Sequence, residues 1–181
     1  MKFTQNKVIF SIGVVSILVI ANANIHKQKK NKTKASMVKA NLNSLKIPEN
    51  YKDWKILSTS HRIDNNSMRI ILGNDIAIEA SRNGQTNPWP EGTIIGKLVF
   101  KQKAEDNWPT AIAPEKFVHA EFMYKDSKRF ASNGTNWGWA RWLGDEQIPY
   151  GNENDLDQSC IACHSPVEGN DWVYTTPITL P

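Results

Sequence analysis

Three stretches in the middle of the chain alternate side-chain character with a period of two, and that period limits the possible folds more than any other feature. In "GTIIGKLVFKQ", Ile94, Gly96, Leu98 and Phe100 fall on one side, with Ile95, Lys97, Val99 and Lys101 on the other. In "KFVHAEFMYKD", Val118, Ala120, Phe122 and Tyr124 oppose Phe117, His119, Glu121 and Met123. In "WGWARWLG", Trp137, Trp139 and Arg141 alternate with Gly138, Ala140 and Trp142. Such alternation belongs to strands, whose successive side chains point to opposite faces. Strands are predicted over 93–103, 116–125 and 137–144. An earlier pair, 54–62 and 67–72, flanks the turn signal "IDNNS" and predicts a hairpin.

Helical signals are few and short. "GNDIAIEASRNGQ" predicts one helix, capped by Asn74 or Asp75 and ended by Gly84, with Ile76, Ala77 and Ala80 on its buried side. Tyr51 to Trp54 and "SKRFASNGTN" each predict a helical turn. "NPWPEG" reads as a breaker and turn, and "AEDNWPTAIAPE" and "DEQIPYGNENDLDQ" read as loops. Many strands with little helix give an α+β fold, mainly an antiparallel sheet with a few short helices.

The N-terminus is expected to direct export. Lys2 and Lys7 precede an apolar run from Val8 to Ala21, and Ala21-Asn22-Ala23 fits a signal cleavage site. The expected organisation is a signal at 1–23, a basic linker at 24–44 and a folded domain at 45–181. The formal charge of +4 loses two with Lys2 and Lys7 and six with the lysines between 24 and 41, leaving −4 for 42–181. A mildly acidic domain argues against nucleic acid as partner. Periplasmic or otherwise exported placement follows, with an uncleaved signal or the basic tail as the routes to a membrane.

Both cysteines of the chain sit in "CIACH", Cys160 and Cys163, with His164 directly behind. No βαβ pattern surrounds them, as a redox dithiol would require. A structural zinc site needs four ligands, and these residues supply three. A plain disulfide stays open as the alternative, although it would not need His164. Covalent haem uses all three: each thiol adds to one vinyl group, and the histidine after the second thiol binds the iron. The expected cofactor is one covalently attached haem c with its iron, near the C-terminus. Candidate sixth ligands are Met68, Met123, His61 and His119.

With "RIILGNDIAIEA", "NPWPEGTIIGKLVFKQ", "AEFMYKDSKRFAS", "WGWARW", "PYG" and "CIACH" taken together, the chain from about Trp54 to Ile178 resembles the cytochrome P-460 family. The resemblance implies an exported, often homodimeric mono-haem protein whose iron is five-coordinate through His164. It further implies oxidation of hydroxylamine to nitrogen oxides, with electrons passed to a soluble acceptor cytochrome. A lysine bonded to the porphyrin accompanies that activity, and Lys97 is the matching choice, although Lys101 shares its face. A related branch lacks the bond and binds nitric oxide; a plain electron carrier is the third possibility. Glu121 is the candidate distal acid/base if burial raises its pKa, with a solvated strand carboxylate or a partner for Lys125 or His119 as the alternative. Arg141 is the candidate propionate partner, with a surface or glutamate-paired role as the alternative. Gly138 and Ala140 are expected to let their strand approach the flat ring.

Overall fold

The computed structural model describes residues 40, 44–151 and 156–181. The expected signal at 1–23 and nearly all of the basic linker at 24–44 lie outside the described residues. Six strands form one sheet in chain order: β1 (Lys55–Arg62), β2 (Ser67–Gly73), β3 (Ile94–Glu105), β4 (Trp108–Lys125), β5 (Trp137–Leu143) and β6 (Ile148–Pro149). Every neighbouring pair is antiparallel. Among the described residues three helices accompany them, α1 (Asp75–Arg82), α2 (Ser127–Phe130) and α3 (Leu156–His164), with 3-10 turns at Tyr51–Asp53, Ala131–Asn133 and Ser165–Asn170. The fold is α+β with a dominant antiparallel sheet.

The β1–β2 hairpin closes through the predicted turn. Asn66 takes a left-handed backbone there, φ 52°, a conformation asparagine tolerates well. Asn74 then stops β2 and starts α1. Its side-chain oxygen accepts from Ala77 N at 3.0 Å and from Ile94 N at 3.1 Å, so one residue caps the helix and ties it to β3. The buried stripe of α1 is Ala77, Ile78 and Ala80, whereas Ile76 is exposed, against expectation. Gly73 explains the shift: Ala77 and Ile78 pack so closely over it that a Cβ there would lie 2.9 Å from the Ala77 methyl.

Two further expectations are corrected. The stretch 104–115 is not a loop. β3 continues to Glu105 and β4 starts at Trp108, despite Pro109 and Pro114. The pairing of β2 to β3 ends at Lys101, and that of β5 to β4 begins at His119. Among the described residues the β3–β4 arm beyond therefore has no further strand on either side, and such open edges are where strands tolerate proline. Second, the register steps from Val99↔His119 to Phe100↔Phe117, leaving Val118 unpaired. This bulge turns Phe117 away from the face of Glu121, and its ring meets Phe100 with centroids 5.5 Å apart.

Each face of the sheet buries its own core. On one side Leu57, Ile71, Ile95, Met123, Trp137 and Trp139 pack with α1, Trp89 and Val173, and Cys160, Ile161 and Trp172 lie against them. On the other, Leu72, Ala120, Phe122, Ala140 and Trp142 pack with Leu45, Tyr51 and Phe130. The alternating tryptophans of β5 thus serve both cores, as the period of two requires. Gly138 does not face the first side. A Cβ there would fall 2.3 Å from the Phe130 ring, so its missing side chain admits Phe130 into the second core and leaves no approach for a cofactor.

Candidate functional site

The cysteine stretch forms α3, a helix the sequence reading did not place. Cys163 and His164 follow Cys160 by three and four residues, so all three lie towards one side of a single helical turn. Cys160 and Ile161 press this turn against the first core. The Tyr174 hydroxyl donates to the Cys163 carbonyl at 2.8 Å, satisfying an otherwise orphaned group at the helix end.

Three contacts orient His164. Its Nδ1 lies 2.7 Å from the Trp172 carbonyl oxygen. A carbonyl can only accept, so Nδ1 carries the proton and Nε2 keeps its lone pair. Trp139 and Tyr174 meet the imidazole edge-on, at centroid distances of 4.7 and 5.2 Å. Burial holds the imidazole pKa below its ordinary value despite the Trp172 bond, which favours the neutral ring that a metal needs.

On the sheet face that α3 packs against, register places Lys97 of β3 opposite Glu121 of β4, and Glu121 opposite Arg141 of β5. Lys97 forms an ion pair with Glu121. Arg141 Nη2 lies 2.5 Å and His119 Nε2 3.3 Å from Glu121 Oε1. Burial pushes the Glu121 pKa up, but the His119 hydrogen bond and the charges of Lys97 and Arg141 more than offset it. The carboxyl is held well below its ordinary value of 4.5. This corrects the expected rise and makes the His119 pairing, left open as the alternative, the observed one. Arg141 is the glutamate-paired arginine, and it also covers the Tyr150 ring at 5.0 Å.

All six candidate residues, Lys97, Glu121, Arg141, Cys160, Cys163 and His164, line one cavity of about 670 Å³. That volume lies in the range of small-molecule and cofactor sites, roughly 300–1,000 Å³. Ile71, Ile95, Met123, Trp139 and Val173 make part of its wall apolar. Of the four candidate sixth ligands, Met123 alone lines it. His61 is instead bonded to Gln102 at an exposed position, and His119 to Glu121.

A haem fits this chemistry. Two thiols and an imidazole with a bare Nε2 stand on one helical turn beside an apolar wall. Four cations, Arg62, Arg69, Lys97 and Arg141, line the cavity against one carboxylate, Glu121. Among the described residues the Nε atoms of Arg69 and Arg141 are buried without a hydrogen-bond partner, and propionate oxygens are the acceptors such atoms need. Arg69 was missed in the sequence. It reads there as one polar residue of a strand, and only the assembled sheet shows that Arg69 and Ile71, two positions apart on one face of β2, both line the cavity. The redox-dithiol alternative weakens further. Burial pushes the Cys160 thiol up to about 11, opposite to what a reactive thiolate requires.

Two thiols, an oriented imidazole and a cation-rich wall around one cavity define a haem-binding protein built on an antiparallel sheet. The family model described as Cytochrome P460 matches residues 48–175, well over half of the chain, and the chain belongs to that family. Membership implies a haem cofactor and a protein of the c-type haem class. No curated protein matches the chain.

Proposed function

We propose that the chain is an exported mono-haem protein that oxidises hydroxylamine to nitrogen oxides and passes the electrons to a soluble acceptor cytochrome. Cys160 and Cys163 would hold the haem through thioether bonds, and His164 Nε2 would ligate its iron. Family membership supports the haem. The observation that carries the catalytic reading is that the Lys97–Glu121–Arg141 row and the Cys160–Cys163–His164 turn line the same cavity. When bound, the haem supplies a metal that takes a small nitrogen compound as ligand and accepts its electrons.

The remaining work falls to the polypeptide. Hydroxylamine releases protons as it loses electrons, and Glu121 is the carboxylate of the cavity that can receive them. Held by three partners, it is too weak a base near neutral pH. Were Lys97 Nζ bonded to the porphyrin, one of those cations would be lost. With burial still opposing the charged form, loss of that cation would move the Glu121 pKa upward, while His119 and Arg141 would continue to lower it. Lys97 thereby has two effects, altering the ring and releasing the base. Arg141 stays to orient the carboxylate.

The second reading is a nitric-oxide-binding protein without the lysine bond. The observation that favours it is the Lys97–Glu121 ion pair, which keeps the two groups occupied with each other. A visible spectrum and an intact mass of the purified holoprotein decide between them. A strongly red-shifted Soret band with a lysine adduct supports hydroxylamine oxidation. An ordinary five-coordinate spectrum without the adduct supports the nitric-oxide binder, and a six-coordinate low-spin spectrum supports a plain carrier. A second copy of the chain as homodimer partner belongs to the same proposal.

A further inference from the structure

The turn that follows α3 is held in a conformation its own residues do not favour. Asp171 and Trp172 are consecutive non-glycine residues with left-handed backbones, φ 48° and 67°. Such residues persist only where their surroundings over-determine them. Here the restraint comes from elsewhere in the chain. Lys125, at the end of β4, donates to both Asp171 carboxylate oxygens at 2.7 and 2.8 Å. The Trp89 backbone amide donates to Asp171 Oδ2 at 2.8 Å, and Asn87 Nδ2 donates to the Gly169 carbonyl at 2.8 Å. Lys125 Nζ also lies over the Trp137 ring, 5.0 Å from its centroid. Both charged side chains are almost fully buried, 5 % and 10 % exposed.

A buried ion pair is a weak source of net stability, because desolvation offsets much of the attraction. What it does provide is a defined geometry. The geometry it defines ends one residue later, at the Trp172 carbonyl that receives the His164 Nδ1 proton. The "NPWP" turn, which the candidate site leaves without a role, is the third side of the same clamp.

We propose that Lys125 and Asp171, locked by the Trp89 amide, are positioning residues for the axial histidine. They hold Trp172 so that its carbonyl faces His164 Nδ1, which fixes the orientation of the imidazole and strengthens its donation through Nε2. Groups that hydrogen-bond the far nitrogen of a ligating histidine fix its tautomer and raise its basicity. The inference rests on the haem reading above, and its test separates the two.

The test uses the holoprotein, its Asp171→Asn and Lys125→Met variants, and Lys125→Arg as the conservative replacement. Intact mass first reports covalent haem. Its absence from the unaltered protein overturns the haem reading and this inference with it. With haem present, the ferrous iron–histidine stretch is measured by resonance Raman and the reduction potential by spectroelectrochemistry. Asp171→Asn and Lys125→Met are expected to lower the stretching frequency and raise the potential, and Lys125→Arg to restore both towards the unaltered values. A stretch and potential unchanged in Asp171→Asn, with only the melting temperature lowered, would overturn the inference and leave the pair a structural one. Should Asp171→Asn fail to mature, the Lys125 variants decide alone by the same two readouts.

Discussion

Lys97 and Glu121 are direct cross-strand neighbours on β3 and β4, and their charged ends form an ion pair inside the cavity wall. Glu121 is the more buried of the two, so its protonation follows the company it keeps. Its folded-state pKa lies below its ordinary 4.5. The stability this pairing contributes is therefore complete above about 4.5 and lost as the pH falls through the lower, folded value.

Lys97→Met should shrink that contribution. In protein whose intact mass shows Lys97 unbonded, the gain in unfolding free energy from strongly acidic to neutral pH should fall by about 1 kcal/mol, after discounting for a lysine that is 30 % exposed. Urea titrations of both proteins across that range check it. Identical pH dependence would mean that the lysine does not govern the carboxyl.

Glu121→Gln keeps the size of the side chain and removes its basicity. The variant should retain haem and hydroxylamine binding while turnover falls by roughly 10²–10⁴-fold, the usual loss for a general base. Steady-state kinetics alongside a ligand-binding titration separate the two effects. Unchanged turnover would remove Glu121 from the chemistry.

His164→Ala removes the imidazole that Trp172, Trp139 and Tyr174 orient. The expected outcome is loss of the five-coordinate histidine spectrum, with covalent haem still detectable through Cys160 and Cys163. An unaltered visible spectrum would show that another residue binds the iron.

Gly138→Ala tests the packing of the second core. The new methyl would collide with the Phe130 ring at 2.3 Å, a buried group with little room to move. A loss of about 1–3 kcal/mol is expected, as for other overpacked sites. Combining it with Phe130→Leu should recover part of the loss, because the two positions share one contact. Additive losses in denaturant unfolding would locate the strain elsewhere.

Much of the sheet was legible because its causes are local. The strands, the β1–β2 turn at Asn66 and the Asn74 cap depend on residues within a few positions of one another. The β3–β4 arm was not legible. Pro109 and Pro114 break a strand only where their missing N–H would have been used, and which edges stay open is a property of the assembled sheet. The bulge at Val118 escaped notice for the same reason, and it removed Phe117 from the face that plain alternation assigned to it. The Asp171–Trp172 turn was also silent in the sequence, since two ordinary residues adopt left-handed backbones only when distant groups hold them there.

The sequence by itself determined the two-residue period of the strands and the spacing that sets Cys160, Cys163 and His164 on one side of a turn, since both are properties of a short run of backbone. Only the tertiary structure decided that Lys97, Glu121 and Arg141 stand in one row facing the same cavity as that turn, and that His119, Lys97 and Arg141 draw the Glu121 carboxyl down although burial raises it. Register across strands is set by packing and by bulges far along the chain, and a pKa is set by whichever charges that register brings within reach.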